Sequence, residues 1–597
     1  MTNMKNLKLA LVTIVAAAVF SSCTLSKMIK LAANQELQVN PNPLELHGGE
    51  VPFNMSVTLP PKMLPSGKVY TVKNFYQYGG KEIEIGEVEF KADDFPSSSS
   101  SPSRKAADFT FNFTEDMTPG KLLVQGIALD PRNGKTAVSP KMEVAIGVIT
   151  TSSAVKDAYL ASYAAHGYND QEELIPTSID FFFAQGSSVL SSSISTDGTS
   201  NRSKQNDLSA FIAAKNVTRT VTITGTHSPE GSERINSDLS KDRASRIEDY
   251  YRRQMKSYDY KGMADSIDFI LKPVVEDWAE FRMKLGTMKG LSANTVIAMR
   301  RIIDGTGTFE DKENSMRKVD GYKMVFDELY PSLRSAKTEI LTVKVKKSAA
   351  EIAVLAKQIV DGSASADTLS NEEFLYAANL TPSLSEKAAI YMAATKRDGS
   401  WVAHNNLAAV YLDMARTDAD NREKLVQDAL TQLEIAAKKK EGPEVHANMA
   451  SAYMMQMEYA KSYESLTKAE AGASNALKSD LNAMKGVIEI RTADYDKAKA
   501  SLVSASNTDV TQFNRGLVNL LTGDYNGAVN AFGGAQEGPL AADAYYYSAV
   551  ASARGKNPTD VIKSLKEAVS KDKSIKDRAL NDLEFVNFAD AVAQAVR

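Results

Sequence analysis

From about residue 350 onward the chain repeats a helical pattern, and that period limits what this part can fold into. His404, Ala408 and Tyr411 precede Ala429, Leu433 and Ala436. His446, Ala450 and Tyr453 precede Ser462, Leu466 and Ala469. Gly486 precedes Ala498, Leu502 and Ala505; Gly516 precedes Ala528, Phe532 and Ala535; Tyr545 and Ala549 precede Val561, Leu565 and Ala568. The last members fall at 436, 469, 505, 535 and 568, in steps of 33, 36, 30 and 33. Small residues recur because paired helices approach closely, and large ones because they fill the space between neighbouring hairpins. One hairpin leaves an apolar face exposed, so the set folds only as a stack.

This period resembles that of tetratricopeptide repeats, and residues 350–597 are expected to form an all-α solenoid of that kind. Ser370-Asn371-Glu372-Glu373 reads as a capping box opening a helix. Gly523-Asp524-Tyr525 and Ala493-Asp494-Tyr495 sit where turns between helices belong. The resemblance implies protein binding on the concave face. Asn405, Asn448, Asn482 and Asn514 on the first helices are the partner-binding candidates, because an amide both donates to and accepts from a peptide backbone.

The N-terminus carries the other strong signal. Lys5 and Lys8 precede or flank an apolar run from Leu7 to Phe20, followed by Ser21-Ser22-Cys23. That order reads as a secretory signal over 1–22. It resembles a bacterial lipoprotein signal, which implies cleavage before Cys23 and acylation of its sulfur. Cys23 is the only cysteine, so no intramolecular disulfide or thiol chemistry is expected. Several acyl chains on one residue would make anchoring to the bilayer stable. No later apolar run approaches the length of a membrane span. Lys27 and Lys30 follow the cysteine, where surface-directed lipoproteins of one Gram-negative group carry acidic residues. The expectation is therefore an outer-membrane lipoprotein facing the periplasm, with surface exposure as the alternative.

Residues 23–40 read as a tether and 41–150 as a β-sandwich. Val51, Phe53, Met55, Val57 and Leu59 alternate with Pro52, Asn54, Ser56 and Thr58, giving a strand one apolar face. Further strand runs are Lys68–Tyr78, Lys81–Phe90, Phe109–Phe113, Leu122–Leu129 and Met142–Ile149. Gly79-Gly80, Pro119-Gly120 and Pro131-Arg132-Asn133-Gly134 separate them as turns. The serine-rich run from Pro96 to Ser103 reads as a loop inside the sandwich.

A second mixed unit is expected over 170–348. Ile179, Phe181 and Phe183 mark a strand, Leu208, Phe211 and Ile212 a helix face, and Val221 and Ile223 a strand ending at Gly225. Thr226-His227-Ser228-Pro229-Glu230-Gly231-Ser232 follows, then Asn236, Leu239-Ser240 and Arg243-Ala244 on a helix through Tyr251. Gly225, Gly231, Ser232, Asn236, Leu239, Ser240, Arg243 and Ala244 fall in register with the OmpA C-terminal-domain family, in the form found in Bacteroidetes. The resemblance implies an α+β peptidoglycan-binding fold that grips a diamino acid with one Asp and one Arg. The Arg position is Arg243; the Asp position is Ser228, which carries no charge. Glu230 lies two residues on, where a loop side chain normally points elsewhere. The site residues implied are Arg243, Asn236, Ser228 and Glu230. Arg243 has two readings, a ligand for a wall carboxylate or a residue that fixes the loop. The chain departs from the family in length: an insertion of about 255–335 precedes the last strand, Thr338–Val345. Trp278 reads as a core anchor of that insertion. The paired arginines expected before the last strand have Arg334 and Lys337 as their nearest equivalents.

The chain thus reads as multidomain: N-terminal β-sandwich, OmpA-like domain with a helical insertion, and helical solenoid. Lys plus Arg number 70 against 74 Asp plus Glu, so nothing points to nucleic acid. Histidines at 47, 166, 227, 404 and 446 have no ligand spacing, so no metal site is expected. No Gly-x-Ser-x-Gly elbow and no phosphate loop occurs, and His227 reads as a lone exposed loop histidine. The expectation is a protein without catalytic residues or cofactor. Two roles follow: a link between outer membrane and peptidoglycan whose repeats recruit envelope proteins, or an accessory scaffold subunit of an assembly, secretion or fimbrial machine that does not bind the wall.

Overall fold

The computed structural model describes residues 24–196, 198–258, 263–274 and 278–597. Cys23 and the 1–22 segment lie outside the described residues. The chain divides into two compact units, one of Met1–Gly167 with Ile352–Arg597 and one of Tyr168–Glu351. Among the described residues no helix is long and apolar enough to cross a membrane.

The first unit begins with two antiparallel sheets. One has Glu50–Leu59 at its centre, between Glu36–Asn40 and Ser103–Asn112. The other runs Lys81–Lys91, Val69–Tyr78, Gly120–Asp130, Lys135–Val138, with Met142–Ile146 also on Gly120–Asp130. The alternation along Glu50–Leu59 does its expected work: Val51, Phe53, Met55, Val57 and Leu59 are all buried, in a core shared with Tyr70, Val72, Tyr76 and Val124. Asp130 and Lys68 form a buried ion pair at 2.6 Å.

Residues 24–40 are not a free tether. A helix over 24–32 puts Leu25, Met28 and Ala32 into the sandwich core, and Glu36–Asn40 pairs antiparallel with Glu50–Leu59. The cause lies in the sequence: those three residues form one apolar helical stripe, which water disfavours.

The same unit contains the all-helical repeat region. Trp401–Thr417 pairs with Arg422–Lys439, Pro443–Met455 with Tyr459–Glu470, and Asn475–Arg491 with Tyr495–Val503. Asp509–Leu521 then pairs with Tyr525–Gly533, and Ala541–Arg554 with Pro558–Lys571. Ser370 and Glu373 form the expected capping box. Gly486 and Gly516 mark close approaches within pairs. A Cβ on either would lie 2.5 Å from its neighbour, Leu502 in one case and Phe532 in the other. The turns between paired helices carry Met457, Ala493, Gly523 and Lys556 in the left-handed region. Only one of these is the glycine that region favours.

The second unit is a four-stranded sheet ordered Leu174–Phe182, Ser335–Val343, Thr218–Gly225, Asp268–Pro273. The last strand in sequence lies antiparallel between the first two, and Thr218–Gly225 runs parallel to Asp268–Pro273. Helices Asn201–Ala213 and Glu233–Ser257 cover the sheet through Leu208, Ile212, Ala244, Ile247 and Tyr251. The expected insertion is shorter than 255–335, because Asp268–Pro273 belongs to the sheet. Its body is helical, from Trp278 to Leu333, with its own core of Trp278, Phe281, Leu285, Met299, Phe309 and Tyr330.

Candidate functional sites

The loop after Thr218–Gly225 is fixed before any ligand is considered. Gly225 sits where a Cβ would lie 1.9 Å from the Ser240 carbonyl oxygen, so the helix packs directly on the strand end. Thr226 donates its amide to the Ser335 carbonyl at 2.8 Å and its hydroxyl to the Leu333 carbonyl at 2.7 Å. Gly231 turns the chain at φ +101°, and Asn236 Nδ2 donates to the Glu230 carbonyl at 3.1 Å. Asn236 therefore serves the loop backbone.

This loop forms one wall of a cavity of about 570 Å³ that Ser228, Glu230, Asn236 and Arg243 all line. The insertion supplies the facing side through Arg317, Tyr322, Lys323 and Phe326. All four residues singled out in the sequence thus meet at one place.

Their bonding differs from the simple pattern of one acid and one base. Arg243 is buried, and its guanidinium donates to three carbonyls: Ser187 at 3.0 Å, Thr226 at 2.7 Å and Ala184 at 3.4 Å. Burial, with the Arg334 charge nearby, pushes its pKa down to about 10. An arginine has five N–H donors, so these three bonds do not use the whole fork. Glu230 turns inward rather than away. Its Oε1 accepts from Arg334 Nε at 2.9 Å and lies 2.8 Å from the second guanidinium nitrogen. Arg334 Nε also donates to Ser228 Oγ at 2.9 Å. Glu230 Oε2 has no hydrogen-bond partner among the described residues. Ser228 and Glu230 are thus both tied to Arg334, the residue just before the last strand. His227 is buried rather than exposed, with its ring edge-on to Phe309 at 5.2 Å.

A second constellation lies on the first helices of the repeats. Residues 155–165 run across them without helix or strand pairing. Asn514 accepts from the Lys156 amide at 2.9 Å and donates to the Lys156 carbonyl at 2.7 Å. Ser451 does the same to Leu160 at 3.0 and 2.6 Å. Asn448 grips Ser162 at 2.7 and 2.8 Å, and Asn406 grips Ala164 at 2.7 and 2.9 Å. The alternation by two is that of an extended backbone. Asn405 bridges, donating to the Ser162 carbonyl and to Asn406 Oδ1 at 3.0 Å each and accepting from Asn448 at 3.0 Å. Asn482 is half-buried and takes no part in the ladder. The peptide on these amides is the chain's own.

Asn406 lies outside the sequence candidates, although the sequence carries a signal for it. Asn406, Asn448 and Asn514 each stand two residues before the small residue of their repeat, at Ala408, Ala450 and Gly516. Asn405 and Asn482 stand elsewhere in the period; Met484 holds the corresponding place before Gly486.

Among the described residues no group of His, Cys, Asp and Glu is placed to hold a metal ion. No protein-family model matches the chain, and no curated protein matches it. Among solved structures, the chain is similar to one described as "Crystal structure of APC/C hetero-tetramer Cut9-Hcn1". The likeness has 14% identity and a TM-score of 0.32, and covers 61% of this chain and 68% of that one.

Proposed function

We propose that the protein is a non-enzymatic scaffold of the bacterial envelope, fastened to the outer membrane through acylated Cys23 and facing the periplasm. In this reading the 168–351 unit is an OmpA-like module that takes the zwitterionic end of a peptidoglycan stem peptide. The helical pairs are tetratricopeptide-like and recruit envelope proteins. The observation that carries the reading is the cavity that gathers Ser228, Glu230, Asn236 and Arg243. A free amine and carboxylate at fixed separation call for an anion and a cation in one pocket. Glu230 Oε2 is the acceptor for the amine, and the unused donors of Arg243, with Arg317 and Lys323, are the cations for the carboxylate. The strand order supports the same reading, since the loop opens at the end of a central strand beside the last one.

Retention on purified insoluble peptidoglycan tests it. The native protein is expected to co-sediment, and Glu230→Gln with Lys323→Glu to reduce retention at least ten-fold. The mass of the N-terminal peptide from membranes tests the anchor, since an unmodified Cys23 thiol contradicts it.

A second reading has its own support. Arg243 directs its guanidinium at three loop carbonyls, and Ser228 is spent on Arg334, which suits a site that only holds its loop. The protein is then an accessory scaffold subunit of an assembly, secretion or fimbrial machine. No retention of folded native protein on the wall selects this reading.

A further inference from the structure

The ladder on the repeats reads main chain. Each of its clamps binds an amide and a carbonyl, groups that every residue but proline carries, so the clamps do not distinguish residues 155–165 from another extended segment. Selectivity rests on a few side chains. Lys156 reaches Asp543 at 2.6 Å, Asp157 reaches Arg491 at 2.6 Å, and Tyr163 donates to Asp413 at 2.6 Å. Leu160, Tyr159 and Ala158 pack against the apolar core of the repeats, and Val155 is buried in it. The remaining side chains of the segment are small, with alanine at 161, 164 and 165 and Ser162. One clamp is also missing. Ala158 falls between clamped residues, and the repeat between those of Asn448 and Asn514 has Met484 in place of asparagine.

We infer that this face is a receptor for an extended peptide and that residues 155–165 are its resident, displaceable occupant. The ligand that replaces them is an extended segment of a partner protein. It carries a cation directly followed by an anion, an apolar residue three positions after the anion, and a tyrosine three positions after that. The inference deepens the recruitment reading above and is independent of wall binding. It makes recruitment conditional. A segment joined to the chain at both ends competes at an effective concentration on the order of mM, so a free peptide of equal affinity is excluded. A partner succeeds by better side chains or by a second contact.

The test uses the full chain and a fluorescein-labelled synthetic peptide of residues 154–166, followed by anisotropy. The native protein is expected to show no saturable binding up to about 100 µM, given that effective concentration. Leu160→Pro with Ser162→Pro removes two clamped amides from the resident segment, and this variant is expected to bind the peptide at least ten-fold more tightly. Adding Asn448→Ala to it should abolish that gain. Equal affinity for native and variant overturns the inference, as does absence of binding to the folded variant. Failure of the variant to fold also counts against it, because the segment is then a fixed part of the core. Hydrogen exchange on the native protein gives an independent readout. The amides of Lys156, Leu160, Ser162 and Ala164 should open before those of the helix cores around Leu433, Leu466 and Leu517. Exchange of both sets in one step overturns the inference.

Discussion

Glu230→Ala removes the counter-charge of Arg334 where both side chains are about nine-tenths buried, at 10% and 9% exposure. Breaking a buried pair from one side leaves an uncompensated charge, and such losses run to about 3–5 kcal/mol. Arg334 keeps two supports in the variant: Ser228 Oγ at 2.9 Å and the Phe326 ring at 5.9 Å. The expected loss is therefore at the lower end, about 3 kcal/mol. With a urea dependence of about 2 kcal/mol per molar, the midpoint of the 168–351 unit falls by about 1.5 M. Trp278 is buried in that unit, and in a Trp401→Phe background its fluorescence alone reports the transition. The decisive comparison is a double-mutant cycle. Glu230→Ala with Arg334→Met removes both charges and replaces the guanidinium by apolar volume, so it should be more stable than Glu230→Ala alone. A double variant whose loss equals the sum of the two single losses refutes the pairing. So does a single Glu230→Ala loss below about 0.5 kcal/mol, the level of an exposed pair.

Asn448→Ala removes three hydrogen bonds from a fully buried side chain and strands the Ser162 amide and Asn405 Oδ1, while the Ser162 carbonyl keeps its bond from Asn405. It should destabilise the first unit by about 2–4 kcal/mol in urea unfolding. Lys556→Gly should stabilise the same unit by up to about 1 kcal/mol, because Lys556 stands at φ +59° and glycine carries no left-handed penalty. Glu45 gives a pH signature. Burial alone would raise its pKa, but the His47 hydrogen bond and the Arg554 charge, 3.2 Å away, hold it below the usual carboxylate value. A carboxylate lowered by folding contributes stability that is present above its unfolded pKa and drains as pH falls through the folded one. Glu45→Gln should accordingly flatten the loss of stability below about pH 4.5, measured by urea midpoints across an acid series.

Much of the architecture is legible because it is local. The alternation along Glu50–Leu59 and the recurrence of small and large residues from His404 to Ala568 are periodic signals, and each names the face that the structure buries. The edges of the mixed unit, expected at 170–348, fall at Tyr168–Glu351. What the sequence hides is pairing over distance. Arg334 and Glu230 stand 104 residues apart, and nothing in either neighbourhood announces the other. The Ser162 clamp joins residues 286 apart, and a segment whose partners lie on other elements has no periodicity of its own. The asparagine register is a nearer miss. Asn405 and Asn406 are adjacent, and only their offset from Ala408 distinguishes the bridging amide from the clamp. Position beside Cys23 suggests a tether over 24–40, but the Leu25, Met28 and Ala32 stripe decides the place of that segment.

The central claim is that the Glu230–Arg243 cavity receives a small zwitterionic wall fragment. Calorimetric titration of a soluble peptidoglycan stem peptide into the full chain measures this without a membrane or an insoluble wall. The account predicts saturation at one site per chain and a loss of at least ten-fold in affinity for Glu230→Gln. Folded native protein that gives no heat of binding, or a Glu230→Gln variant that binds as well as the native chain, contradicts it.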